Sequence, residues 1–393
     1  MPPSKHALLG ASSAHRWLAC TPSARWEQQF ADSAGEAARE GTLAHEVAEE
    51  RLSQLLAGKR PTTSDRLKAH ELYRPVMDEH ADTYAAYVLD YYTAACEKTP
   101  DAVLKLEVRV DFSEYVPDGF GTADAVLIAD GVMHVFDYKY GKGIPVYAEE
   151  NPQLSLYALG ALALYDLIYD IREVVLHIIQ PRIDNITDWG MTADRFRYWG
   201  ENYVKPRALL AAKGEGEHVA GEHCQWCRAK TVCRTLAQHR LEIAQLQFAE
   251  PSHEERMPPE LTPDEISQIL GGVDDLIRWA KSVKEYALEQ ALYHGAQYPG
   301  YKVVEGRSTR RIANEADALN VLLNEGFKAA QLMELRGLGE LEEIVGKKKL
   351  GEILGELIVK PQGKPALAKE SDKRPAINAA QNVFKPISDE EEI

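Results

Sequence analysis

The stretch GTADAVLIADGVMHVFDYKY, Gly121 to Tyr140, decides how this chain is read. Two alternating apolar runs flank Asp130-Gly131. Asp-Gly between such runs is the strongest short-range hairpin signal, because both residues tolerate positive φ. A two-residue turn there sets Ala129 opposite Val132 and Asp124 opposite Asp137. The two carboxylates then share one face of the sheet, with Cβ atoms about 5 Å apart. Lys139, two residues beyond Asp137, projects from that face as well. Opposed like charges destabilise a hairpin, whereas a divalent cation between them removes the repulsion and gains oxygen ligands. The expectation is a metal site built from Asp124, Asp137 and Lys139. The bland alternative is a surface hairpin with an ordinary Asp–Lys pair, and a β-bulge would break the register.

The hairpin sits in a chain of 393 residues, 45% hydrophobic and 27% charged, which is globular and long enough for a large domain and a smaller one. No apolar run reaches membrane-spanning length, and MPPSKHALLG lacks the apolar core of a signal peptide, so a cytosolic protein is expected. The five cysteines then suggest metal or cluster ligation before disulfides. A net charge of −16 argues against coating nucleic acid by bulk charge but leaves room for a local basic groove.

Upstream, residues 12–30 suggest a short helix capped by Ser12 or Ser13 and carrying Trp17 and Cys20. EGTLAHEVAEERLSQLLAGK suggests a second, with Thr42 as N-cap and His45 in its first turn. A lone histidine there is more often packing than a ligand. Residues 68–97 carry Tyr84, Tyr87, Tyr91 and Tyr92 at helical spacing, an aromatic stripe read as core, and Cys96 is read as structural. VLKLEVRVD, 103–111, alternates as a strand with Leu104, Leu106, Val108 and Val110 on the core face and Glu107 on the other.

Downstream, NPQLSLYALGALALYDLI is a helix with Asn151 as cap and Pro152 at its first position, placing Gln153 and Tyr157 on one face. EVVLHIIQ, 173–180, is near-continuously apolar, as for a strand covered on both sides. A helix around 192–212 follows. The fold class is α/β, a mixed central sheet flanked by helices, followed by a mainly helical C-terminal region. GEHCQWCRAKTVCRT holds Cys224, Cys227 and Cys233, three corners of a tetrahedral centre. Cys20 is the candidate fourth corner, with His223 and zinc, or a redox CxxC, as alternatives. The domain reading is 1–245 for the sheet domain and cysteine set, 246–262 for a proline-marked linker, 263–360 for the helical region and 361–393 for an extended or disordered tail. Thr262-Pro263-Asp264-Glu265 forms a capping box for a helix reaching about His294, and GYKVVEGRSTRRI is β-like. No phosphate-binding Gly-rich loop is present, which argues against a motor or helicase.

Taken in order, Cys20, His45, Asp124, Asp137-Tyr138-Lys139, Gln153, Tyr157, Cys224, Cys227 and Cys233 closely resemble the RecB-like branch of the PD-(D/E)XK nuclease superfamily. The likeness is greatest to its iron–sulfur members, such as the CRISPR-adaptation exonucleases and AddB-type nucleases, and extends to an uncharacterised phage and prophage family. It covers roughly residues 10–240. It implies a restriction-endonuclease-like core, with His45, Asp124, Asp137 and the Tyr138 backbone carbonyl as ligands of Mg²⁺ or Mn²⁺. It implies Lys139 as the catalytic lysine, Gln153 and Tyr157 as DNA-contacting or site-ordering residues, and Cys20, Cys224, Cys227 and Cys233 around a 4Fe-4S cluster, with Zn²⁺ the alternative. Asp137 stands where many relatives carry Glu. The implied function is a metal-dependent DNA nuclease, an exonuclease or end-processing enzyme in phage recombination, replication or repair. Its partners would be single-stranded DNA or DNA ends and phage recombination or replication proteins, in the cytoplasm of a bacterial host and without a membrane. The alternative is a catalytically weak DNA-binding or assembly module that retains the fold.

Overall fold

Asp130 and Gly131 both take positive φ, 50° and 74°, as a tight two-residue reversal requires. The turn joins β2 (Phe120–Ala129) to β3 (Val132–Tyr138) in the expected register, Ala129 against Val132 and Ala125 against Phe136. The computed structural model describes residues 7–30, 35–242, 263–304, 315–324 and 336–359. β1 (Val103–Asp111) pairs antiparallel with β2 on its other side. From β3 the chain crosses through a helix and returns as β4 (Glu173–Gln180), parallel to β3, and β5 (Asn185–Thr192) closes the edge antiparallel to β4. The result is a five-stranded mixed sheet in the order β1-β2-β3-β4-β5.

Each face of the sheet is covered. On one side lie α1 (Glu36–Leu56) and α2 (Val76–Lys98), which bury Leu43, Val47, Leu52, Met77, Tyr84 and Val88 against Phe136 and Tyr138. On the other lies α3 (Pro152–Tyr165), apolar nearly all round, packed among Val110, Val126, Val135, Leu176 and Ile178. The crossover helix is therefore enclosed by the sheet beneath and by Trp17, Phe196 and Val204 above. The tyrosine stripe is core as expected, with Tyr84 buried and Tyr87 and Tyr91 packed on Phe136.

Several sequence expectations need correction. α1 starts at Glu36, so Thr42 lies inside it, its Oγ1 donating to Ala38 O, and His45 is mid-helix. The run EAARE is made of good helix formers, and Gly41-Thr42 mimics a start without being one. Residues 12–30 form separate short turns, with no side-chain cap from Ser13. Cys96 is exposed on α2, not packed. β5 was not anticipated, because NITDWGMT is polar and sits at an edge, half-exposed along its length. The 192–212 helix is divided into α4 (Ala193–Trp199), a π-helical turn (Gly200–Val204) and α5 (Lys205–Lys213).

β1 and β2 also break the simple alternation. Leu104 and Leu106 pack with the α1/α2 layer, but Val108 and Val110 belong to the α3 layer. β2 changes over at the same level, Ala123 in the α3 layer and Ala125 in the other. Between them Glu107 has φ of 47°, which turns the strand over.

At the end of the sheet domain, α6 (Arg234–Leu241) meets α8 (Val273–Tyr293) through Arg240–Asp275 at 2.7 Å, and Trp279 Nε1 of α8 donates to Lys230 O, just ahead of α6, at 3.2 Å. α7 (Pro263–Leu270) precedes α8, so the expected single helix is split at Gly271-Gly272. α9 (Glu315–Asn324), α10 (Leu338–Val345) and α11 (Lys347–Leu354) continue the helical region, and Lys348 N donates to the Glu79 carboxylate of α2 at 3.1 Å. Residues 300–304 form no strand, and the rest of that β-like segment, Thr262, the linker and the tail lie outside the described residues.

Gly160 marks where α3 crosses β1 most closely: a Cβ there would sit 2.9 Å from Val110 Cβ and 3.1 Å from Asp111 O. Gly160→Val should destabilise the protein by about 1–3 kcal/mol through overpacking. Gly41→Ala, in open space on α1, should stabilise it by up to about 1 kcal/mol. Urea denaturation of both variants checks the pair, and equal midpoints would contradict the packing described.

Candidate active site and cysteine centre

The β2–β3 ladder stops at Ala125–Phe136, one step short of the two acids. Beyond it Asp124 Oδ2 accepts the Tyr138 backbone N–H at 2.7 Å, so a side chain continues where the backbone pairing ends. Asp124 Oδ1 lies 3.2 Å from His45 Nδ1 on α1. Asp137 is buried, with Lys139 Nζ 2.8 Å from its Oδ2. That approach balances charge but misses hydrogen-bond geometry, and Asp137 Oδ2 has no hydrogen-bond partner among the described residues.

α3 supplies the third side. Asn151 caps it by accepting from Gln153 N and Leu154 N, and Pro152 occupies the first position. This presents Gln153 to the acids. Its Oε1 accepts from Lys139 Nζ at 3.0 Å, and its Nε2 donates to Asp137 Oδ1 at 3.3 Å and to Tyr157 Oη at 3.1 Å. Gln153 thereby fixes the lysine, one acid and the tyrosine together. The Tyr157 ring lies over Gly121, where a Cβ would stand 2.5 Å from Cε1. This explains the glycine that opens the GTAD stretch. Tyr138 turns its ring into the α1/α2 layer, against Tyr84 and edge-on to the His45 imidazole, while its backbone faces Asp124.

Electrostatics separates the two acids. Burial pushes both up, but His45, the Tyr138 N–H and Lys139 hold Asp124 below the usual carboxylate range. Asp137 stays above that range, because burial and the Asp124 charge outweigh Lys139. Burial alone would depress the His45 imidazole, yet the carboxylate of Asp124, aided by Asp137, lifts it to about 9. His45 and Lys139 therefore act as the counter-charges of the pair.

One acid escaped the sequence reading. Glu107 and Glu49 line, with His45 and Asp124, a small cavity of about 10 Å³, room for one water or one bare ion. Burial first, then Asp124 and Glu49, raise the Glu107 carboxyl to about 7. The strand pattern assigned Glu107 to the face away from the core. Only its positive φ, which no alternation reveals, brings it to the acids. The donors are hard oxygens with one imidazole, a set that suits Mg²⁺ or Mn²⁺. Among the described residues, no three acidic, histidine or cysteine side chains stand together at metal-binding spacing.

The cysteines converge from the two ends of the sheet domain. Cys20, Cys224, Cys227 and Cys233 line one small, mostly apolar pocket together with Trp26, His218 and His223. Cys233 also caps α6, its Sγ accepting from Leu236 N at 3.4 Å. Burial raises the thiols of Cys20 and Cys224, and that of Cys227 to about 12. Four thiols are the donor type that an iron–sulfur cluster or zinc takes, although no three of them stand at metal-binding spacing among the described residues. His218, whose Nδ1 is 4.0 Å from Cys20 Sγ, was not anticipated. Basic residues near these features fall into two groups. Lys142 and Arg182 lie beside Glu343 of α10, and Arg228, Lys230 and Arg234 lie on the cysteine segment.

The His45 imidazole should titrate near pH 9 by NMR in the metal-free protein, and Asp124→Asn should return it below 6.5. By linkage, the His45–Asp124 pair stabilises the fold fully below about pH 6.5, and that contribution fades as pH rises through about 9. A wild-type titration near 6 would refute this charge assignment.

Among solved structures, one titled "Crystal structure of SSO0001" is similar at 14% identity, covering 60% of this chain and 90% of that chain with a TM-score of 0.24, a likeness too slight to fix fold or activity. Among the described residues no helix is long and apolar enough to cross a membrane. A family model described as "Protein of unknown function (DUF2800)" matches residues 6–375, nearly the whole chain, and the chain belongs to that family.

Proposed function

We propose that this protein is a metal-dependent DNA nuclease of the PD-(D/E)XK type, RecB-like branch, hydrolysing phosphodiester bonds at single strands or ends. The observation that carries the reading is the opposition of Asp124 and Asp137 at the open end of the hairpin, with Lys139 Nζ 2.8 Å from Asp137 and tied to Gln153. A packed sheet needs no such pair, since buried carboxylates facing each other cost stability unless a cation is present. The burial of Asp137 and the small cavity lined by His45 and Asp124 support a divalent ion in particular.

Asp124, Asp137, His45 and the Tyr138 carbonyl would hold that ion. When bound, it supplies charge to polarise a phosphate and lowers the pKa of a water. The remaining work belongs to the chain. His45 gives up its proton to become a ligand, so ion binding strengthens as pH rises toward 9. Lys139, released from Asp137, offsets charge on the phosphoryl oxygens and orients the attacking water. Gln153 holds the lysine in position, and Tyr157 shields the site from the α3 side. The sheet domain, 1–245, would carry this chemistry, and the cysteine centre would staple its first turns to its last segment.

End-labelled single- and double-stranded DNA, linear and circular, incubated with Mg²⁺ or Mn²⁺ tests the reading. Cleavage is expected, and Asp124→Ala, Asp137→Ala or Lys139→Ala should each abolish it with the circular dichroism spectrum unchanged. Full activity in any of the three purified variants would defeat the assignment. DNA bound but left intact by the wild-type chain would favour a non-cleaving binding module instead.

Protein isolated without oxygen is expected to be brown and to contain iron and labile sulfide, and Cys227→Ser should bleach it. A colourless protein with stoichiometric zinc would give the cysteines to zinc.

A further inference from the structure

We infer that the open groove between β5, α4 and the π-helical turn is a binding path for unpaired nucleotides leading to the acidic site; this rests on the nuclease reading above. The groove has a volume of about 770 Å³ and is walled by Trp189, Tyr198, Trp199 and Tyr203, with Arg195 at one side. Its floor is the start of α3, Pro152 and Ser155. Gln153, between them in sequence, faces Asp137, so groove and acids lie on different sides of the first turn of α3.

The rings are held in order. Pro206 lacks an N–H and its ring would collide with the carbonyl of Asn202 in a regular helix. The chain widens there into the π-helical turn Gly200–Val204. Trp199 and Tyr203, four apart across that turn, lie nearly parallel, 21° between planes and 6.3 Å between centroids. Arg207 extends the series with its guanidinium 4.7 Å over the Tyr203 ring, anchored by a 2.8 Å hydrogen bond to Leu18 O. Gly200 lets the turn sit on the core, since a Cβ would meet the Tyr115 ring at 2.8 Å. The outer rings are not used for packing: Tyr198 is 71% exposed and Tyr203 42%.

The occupant follows from size and chemistry. Successive flat faces with few charges suit stacked bases, which every sequence can supply. The volume falls in the range, roughly 300–1,000 Å³, that encloses a small ligand, hence a few unpaired nucleotides and not a duplex. Glu150 and Arg195 balance each other in the lining, so stacking and not phosphate attraction is the main grip.

The test uses the full chain carrying Lys139→Ala, to prevent cleavage, and fluorescein-labelled oligothymidylate. Trp199→Ala and Tyr203→Ala should each weaken binding roughly fivefold to a hundredfold, the worth of one stacked base. Trp199→Phe and Tyr203→Phe should retain most of it, which separates ring stacking from misfolding. Photocrosslinking with bromouridine-substituted oligonucleotide should label Tyr198, Trp199 or Tyr203. In the otherwise wild-type chain, DNA cleavage with unaltered affinity in the alanine variants overturns the groove and leaves the nuclease reading intact. No binding or cleavage by the parent chain sinks both. Unaltered affinity with a shifted elution volume would assign the groove to protein contact and equally overturn the proposal.

Discussion

Two neighbouring carboxylates, Asp137 buried and Asp124 largely so, are the constraint around which this molecule is arranged. Neither can be left alone, because the low-dielectric interior magnifies their repulsion and denies them water. The fold answers from both sides of the sheet. α1 brings an imidazolium to Asp124, and the end of β3 with α3 brings an ammonium and an amide to Asp137. Each covering layer contributes a partner, so the acids act as a tie between two otherwise separate cores. The sheet is distorted where this happens, with β1 and β2 both exchanging faces beside Glu107.

The arrangement also explains why the crossover helix is so apolar. α3 must lie against the sheet and beneath the N-terminal turns, and only its first turn reaches the acids. Among its polar exceptions, Gln153 and Tyr157 bond to each other and Ser155 donates to Asn151 O. Gly121 and Gly160 are small for the same reason, one under the Tyr157 ring and one against β1. The second centre, the cysteine cavity, gathers residues about 200 positions apart in sequence by packing the N-terminal turns against the segment before α6.

Much of this was legible because local chemistry and global fold agree. Asp-Gly set the hairpin, its register set the acid pair, and Asn151-Pro152 set the start of α3. β1 and β4 have the bounds that their apolar patterns suggest. The failures share a cause as well. Glu107 depends on a backbone angle that glutamate rarely adopts, and no pattern of side chains encodes it. β5 owes its pairing to β4 and not to its own polar sequence. The early start of α1 rests on helix formers flanking a Gly-Thr pair that looks like a boundary. His218 joins the cysteines only through tertiary packing, and its surroundings in sequence carry no signal.

The reversal at Asp130-Gly131 is seven residues from Asp137, far from any chemistry, yet it sets which way that acid points. Side chains along a strand alternate, so adding or removing a single residue at this bend would rotate β3 relative to β2 and send Asp137 to the opposite layer, among Phe136's aromatic neighbours. Loops elsewhere on the surface can drift in length over evolutionary time at little cost. This one cannot, and among divergent copies of the sequence its length should be invariant even where its residues are not.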